Sequence, residues 1–166
     1  MKERIKEYLK KYLLIYAVAI AIPLTVGLLS ALLTKDNMNI YSEIVKPPLA
    51  PPAILFPIVW SILYVLMGVS SAQIYTRTEK MPERRTKAFK FYTISLILNF
   101  GWSIIFFNIK EFFYAFLWLL VLLYFIIRTI LEYRKIYSLA AYLQIPYAVW
   151  VAFAGYLNIA IAILNR

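Results

Sequence analysis

The chain has 166 residues, of which 63% are hydrophobic and only 16% charged, with a formal net charge of +10. A soluble domain carries about 25% charged residues, so the balance points to a membrane. Histidine and cysteine are both absent. That removes disulfides, thiol nucleophiles, imidazole bases, Ser/His/Asp hydrolysis, and His or Cys ligation of zinc or haem.

Five stretches contain no charge: Tyr12–Thr34, Pro47–Thr76, Phe91–Ile109, Phe112–Ile127 and Ile136–Asn165, of 23, 30, 19, 16 and 30 residues. A helix needs about 20 residues to cross the hydrocarbon layer. The 16-residue run is short, but Arg128 beyond it can snorkel to the interface. The expected fold is therefore an all-α integral membrane protein. It forms one domain, a bundle of five transmembrane helices over about 9–34, 52–75, 88–108, 111–131 and 136–163. The first run is longer than a signal-peptide core, and no small-residue cleavage pattern follows it, so no cleaved leader is expected.

Charge placement sets the expected topology. With alternating helices, fourteen basic residues fall on one side, from Lys2 through Arg85 to Lys135. Lys35, Lys46, Lys110 and Arg166 are left on the other. The positive-inside rule then puts the N-terminus in the cytoplasm and the C-terminus outside. These basic residues form a rim facing anionic lipid, and no nucleic-acid partner is expected.

The first outer loop, about Lys35 to Pro52, ends in the proline-rich segment PPLAPP. Pro47, Pro48, Pro51 and Pro52 lack backbone donors and restrict their predecessors, so the second helix is expected to start near Pro52 or Ala53. Pro57 would then lie one turn inside and kink it. The segment reads either as a rigid turn that sets helix spacing or as the stiff rim of a cavity, and these readings are compatible. Trp60 and Tyr64 follow on one helical face, as do Gly68 and Ala72. Trp60 suits a cavity wall, with interhelical packing as the alternative.

Polar residues deep in apolar helices need partners. Asn99 and Trp102 share a face of the third helix, followed by Phe106. Gln144, Tyr147, Trp150, Ala154 and Asn158 form a stripe along the fifth. One reading is an interhelical hydrogen-bond set joining Asn99 to Asn158 or Gln144. The other is a pocket of flat rings with a few orienting donors, suited to a bulky apolar ligand. Gly27 with Ala31, Ala17 with Ala21, and Gly68 with Ala72 are close-packing pairs whose partners the sequence leaves open. No acid or base lies mid-helix to carry protons or ions, and no P-loop or dinucleotide fingerprint occurs.

Three segments together, KPPLAPPAILFPIVWSILYVLMGVS, FYTISLILNFGWSIIFF and IPYAVWVAFAGYLNIAIAILN, resemble the tryptophan-rich sensory protein/translocator protein family, also called the peripheral-type benzodiazepine receptor family. The resemblance implies a five-helix membrane receptor, frequently a homodimer, with a cavity beneath the first outer loop, and the short basic N-terminal tail points to the inner membrane of a prokaryote. It implies binding of porphyrins (protoporphyrin IX or a haem-like ring) and other hydrophobic small molecules, with no required cofactor. By position it assigns Trp60 and Trp150 to porphyrin handling, Asn99 and Trp102 to the third-helix motif, and Ala154, Leu157 and Asn158 to the last. Pro47, Pro48, Pro51 and Pro52 match its loop prolines. Leu49 and Ile54 stand where the family often has tryptophan, Ser95 where it usually has glutamine, and Ile159 near the tyrosine of the eukaryotic sterol motif. Transport of a tetrapyrrole or lipid, and light-dependent porphyrin breakdown, are the alternatives to sensing.

Overall fold

The computed structural model describes residues 2–165, and five of its helices are long and apolar enough to cross a membrane. The first, α1 (Lys2–Thr34), is about 50 Å long, so its basic N-terminal turns extend past the hydrocarbon layer. Pro23 lies inside it without ending it. A 3₁₀ turn (Lys35–Asn37) and the short α2 (Ile40–Glu43) lead into the proline segment. The next span, α3, covers Leu55–Arg77.

This start places Pro57 in the first turn of α3, not one turn inside it. Its missing N–H is one of the donors that a helix start leaves unpaired in any case, so the expected kink has no cause. The Pro57 carbonyl instead accepts a hydrogen bond from the Ser61 hydroxyl at 2.8 Å.

The third span, α4 (Pro82–Ser103), opens with a proline at its start and widens into a π-helical segment, Ile104–Ile109. Lys110, in the left-handed region at φ 63°, ends it. The connection to α5 (Phe112–Arg134) is thus Lys110 and Glu111 alone, which forces α4 and α5 to be antiparallel neighbours. The chain ends in α6 (Ser138–Tyr142) and α7 (Ile145–Leu164), which together make the fifth span. Charged residues extend α1, α4 and α5 past the charge-free runs, whereas α3 adds only Arg77 to its run and begins well inside it.

In the ring of helices α1 packs on α3 and α4, α5 packs on α4 and α7, and α6 touches α3 and α5. Small residues make the first of these contacts. A Cβ at Gly68 would overlap the Ile20 backbone and come within 2.8 Å of the Ala19 carbonyl oxygen. One at Gly27 would overlap the Tyr64 ring. Both glycines therefore serve packing within one chain. On α4, Gly101 leaves room for the Trp118 ring, whose indole N–H donates to the Leu98 carbonyl at 2.7 Å. At the basic face Lys11 pairs with Glu79 at 2.7 Å, and Glu132 pairs with Lys135 at 2.8 Å.

Gly68→Val should lower the thermal unfolding midpoint in detergent clearly, because the obstacle is backbone and overpacking costs about 1–3 kcal/mol. Gly155→Ala is the control, since nothing lies within 4 Å of its added methyl. Equal midpoints for the two variants would contradict the α1–α3 contact.

Candidate functional site

The interior between α3, α4 and α7 is built from rings held by side-chain amides. Trp60, Tyr64 and Met67 recur at helical spacing on α3, so they share its inner face. Trp60 stacks on Tyr64 with ring centroids 5.4 Å apart and planes 28° from parallel. It lies 6.2 Å from Trp102 and meets Tyr147 edge-on at 6.0 Å. The Tyr64 hydroxyl donates to Asn99 Oδ1 at 2.9 Å, and Asn99 Nδ2 donates to the Tyr147 hydroxyl at 3.2 Å. One turn on, Trp102 Nε1 donates to Asn158 Oδ1 at 3.2 Å, and Asn158 Nδ2 donates to the Ala154 carbonyl at 2.7 Å.

Asn99 is 1% exposed and Asn158 2%, so these bonds are formed away from solvent. There an unpaired amide would be costly. The expected pairing of Asn99 with Asn158 or Gln144 is not what forms. Tyr64 and Tyr147 share the Asn99 amide and Trp102 takes that of Asn158, while Gln144 Nε2 is buried without a partner among the described residues.

Two cavity lobes open around this cluster. One, of about 330 Å³, lies beneath α2 and the start of α3, against Trp102, Phe106, Ala154, Leu157 and Asn158. The other, of about 450 Å³, lies between α1, α3 and α4, against Trp60, Tyr64, Trp102 and Ser103. Met38, Phe56, Pro57, Trp102 and Phe107 line both, so the lobes share a wall. Volumes of this size suit drug-sized ligands. The first lobe is lined almost wholly by apolar or aromatic groups, whereas the second adds Ser30, Thr34, Ser61 and Ser103, and the buried Ser30 hydroxyl has no partner among the described residues. No group of three or more Asp or Glu that could hold a metal occurs among the described residues.

The roof is pinned at several points. Asn37 Nδ2 donates to Asn108 Oδ1 at 3.0 Å, and Asn108 Nδ2 donates to the Leu33 carbonyl at 3.1 Å. Asn165 bonds both the N–H and the carbonyl of Val45, at 2.8 and 3.0 Å. The Tyr156 hydroxyl donates to the Pro48 carbonyl at 2.9 Å, and the Tyr41 hydroxyl donates to the Pro51 carbonyl at 2.8 Å. Pro47 is buried. These prolines shape the roof without lining either lobe, and Tyr41, Met38, Ala53 and Ile54 do the lining there. Leu49, at φ 66° and 81% exposed, stands clear of the cavity.

The geometry brings Trp60, Tyr64, Trp102, Ala154, Leu157 and Asn158 to the lobes, with Asn99 and Tyr147 directly behind them. Trp150 stands apart. It is half-buried against Phe56 at 5.9 Å and Phe153 at 5.7 Å, and its indole N–H has no partner among the described residues. It lines neither lobe, and Phe56 stands between it and them. Sequence reasoning passed over Met38, Tyr41, Phe56 and Phe107. Phe56 sits one turn before Trp60, and that spacing is the signal that would have found it.

Comparison with known proteins agrees with this architecture. Residues 19–164 match the model of the TspO/MBR family. The tryptophan-rich protein TspO of Chlorobaculum tepidum is 38% identical over 125 residues, covering 75% of this chain and 78% of that protein. The tryptophan-rich protein TspO of Archaeoglobus fulgidus is 37% identical over 127 residues, covering 75% and 79%. The translocator protein of Homo sapiens is 30% identical over 123 residues, covering 74% and 73%. A five-span bundle with a ring-lined interior, matched over nearly its whole length, belongs to the TspO/MBR family, whose membership gives it a general ligand-binding or transport role.

Proposed function

We propose that this membrane protein is a receptor or sensor that binds a porphyrin, with protoporphyrin IX as the model ligand, in the two-lobed cavity beneath the α1–α3 loop. The observation that carries the reading is the pair of indoles, Trp60 and Trp102, 6.2 Å apart and each lining a lobe. A large flat π-system gains stacking energy from such rings beyond its area of contact. Their orientation is fixed before binding by Tyr64, Tyr147 and Asn158, so little ordering remains for the ligand to impose. With no imidazole or thiolate in the chain, shape and stacking hold the ring, and a metal-free porphyrin is the fitting occupant. In this reading the N-terminus is cytoplasmic and the loop and cavity roof face outward, as the distribution of basic residues argues.

A facilitator of tetrapyrrole movement is the second reading. One feature favours it: Leu24, Leu28 and Ala31, which line the second lobe, are also exposed on the outer surface of α1. A ligand could then exchange sideways with the bilayer. Porphyrin flux into liposomes, compared between the chain and Leu28→Trp, tests this: the variant should slow flux, and equal rates would remove the lateral route.

Porphyrin absorbance titrations test the leading reading. Trp60→Leu with Trp102→Leu should weaken protoporphyrin affinity by about tenfold, from two lost stacking contacts of about 0.5–1.5 kcal/mol each. Trp150→Leu should change it by about twofold or less, because a stacking contact is not lost with it. Wild-type affinity in the double variant, or a larger loss at Trp150, would overturn this site.

Asn158→Leu removes the acceptor that orients Trp102. It should weaken binding by about threefold to tenfold, a loss of the order of one hydrogen bond. Unchanged affinity would mean that packing alone orients the indole.

A further inference from the structure

A third cavity lies outside this site, between α1, α3 and α4 at the end of the bundle that carries the basic residues. It is a groove of about 660 Å³, larger than either lobe. Leu14, Val18 and Ile22 line it on α1, and Phe89 and Leu96 on α4. Arg85 and Thr86 stand at its basic end. Tyr92 lies in its wall with a buried hydroxyl that has no partner among the described residues.

We propose that this groove binds one acyl chain of an anionic glycerophospholipid, with the Arg85 guanidinium holding the phosphate. Its length selects that occupant. From Arg85 to Leu96 is eleven residues of helix. That is about 16 Å, close to half of the roughly 30 Å hydrocarbon layer. The groove therefore runs the depth of one leaflet and stops, which suits an acyl chain and not a second spanning helix.

Charge selects the headgroup. Glu79 is the nearby carboxylate, and Lys11 already holds it at 2.7 Å. Arg85 has no carboxylate within ion-pair distance among the described residues. It makes only a 3.4 Å contact with the Glu79 carbonyl and lies over the Tyr75 ring at 5.0 Å. A guanidinium so placed, at the basic end of the apolar groove, presents free donors in the fork that matches phosphate. Arg84 and Lys80 on the same end add to the attraction for an anionic lipid over a zwitterionic one.

Native mass spectrometry of the detergent-solubilised chain, with phosphatidylglycerol and phosphatidylcholine of identical acyl chains, tests the assignment. Wild type should retain phosphatidylglycerol preferentially. Arg85→Gln should lower that retention about fivefold, toward the phosphatidylcholine level, as expected for one basic residue at the membrane surface. Val18→Trp, at an exposed position in the groove, should lower retention of both lipids. Both variants should keep wild-type unfolding midpoints and protoporphyrin affinity, which separates this site from the porphyrin cavity. Cross-linking of wild type with a photoactivatable phosphatidylglycerol needs no variant, and its adducts should fall within 14–22 and 89–96. Unchanged retention in either variant, equal retention of the two lipids, displacement by millimolar inorganic phosphate, or adducts confined to other helices would each overturn the proposal.

Discussion

The interior of this bundle depends on satisfying two asparagine amides that are buried among the helices. Asn99 is shared between the hydroxyls of Tyr64 and Tyr147, and Asn158 receives the indole N–H of Trp102. In hydrocarbon a polar group without a partner is expensive, so each bond also fixes the ring that makes it. The aromatic cluster is thus oriented by polar contacts and filled by apolar ones. Trp60, which has no such bond among the described residues, is held by stacking on Tyr64 and by the edge of Tyr147. A cavity walled this way keeps its shape when empty.

The roof follows from the same economy at the water interface. The four loop prolines have no N–H to donate, so the chain there forms a turn at Pro48–Leu49 in place of a helix, and the Pro48 and Pro51 carbonyls take their donors from side chains elsewhere. Tyr41 and Tyr156 supply them for Pro51 and Pro48, and Asn165 does the same for Val45. Asn165, just past the end of α7, therefore clamps the first loop, although 120 residues separate it from Val45. Beneath the roof, the π-helical end of α4 carries Phe106 and Phe107 to the lobes.

Composition and charge-free runs were enough to read the five spans, because the bilayer imposes one length and one polarity on each. The site was partly legible for a similar reason. Asn99, Trp102 and Asn158 are conspicuous where apolar residues are expected, and helical spacing put each on an inner face. Spacing gives direction but not reach, and that limit explains the rest. Asn99 finds tyrosines because their long side chains cross the gap before another amide can. Trp150 lies on the stripe with Tyr147 and Ala154, yet its ring turns to Phe56 and Phe153. The kink expected at Pro57 assumed a helix start near Pro52, and the actual start at Leu55 removes it. The groove between α1 and α4 depends on how far apart two helices sit, which no pattern along either helix records.

The four tryptophans provide a direct test of where a porphyrin binds. Each gives one indole N–H resonance, and a stacked tetrapyrrole shifts nearby protons through its ring current. Trp118 is the internal reference, since it is fixed to the Leu98 carbonyl on the α4–α5 face and lines neither lobe. On titration of the isotope-labelled chain with protoporphyrin IX, the Trp60 and Trp102 resonances should move strongly and saturably while Trp118 stays in place. Stationary Trp60 and Trp102 signals, or a Trp118 shift as large as theirs, would contradict a ligand site built on the stacked indoles.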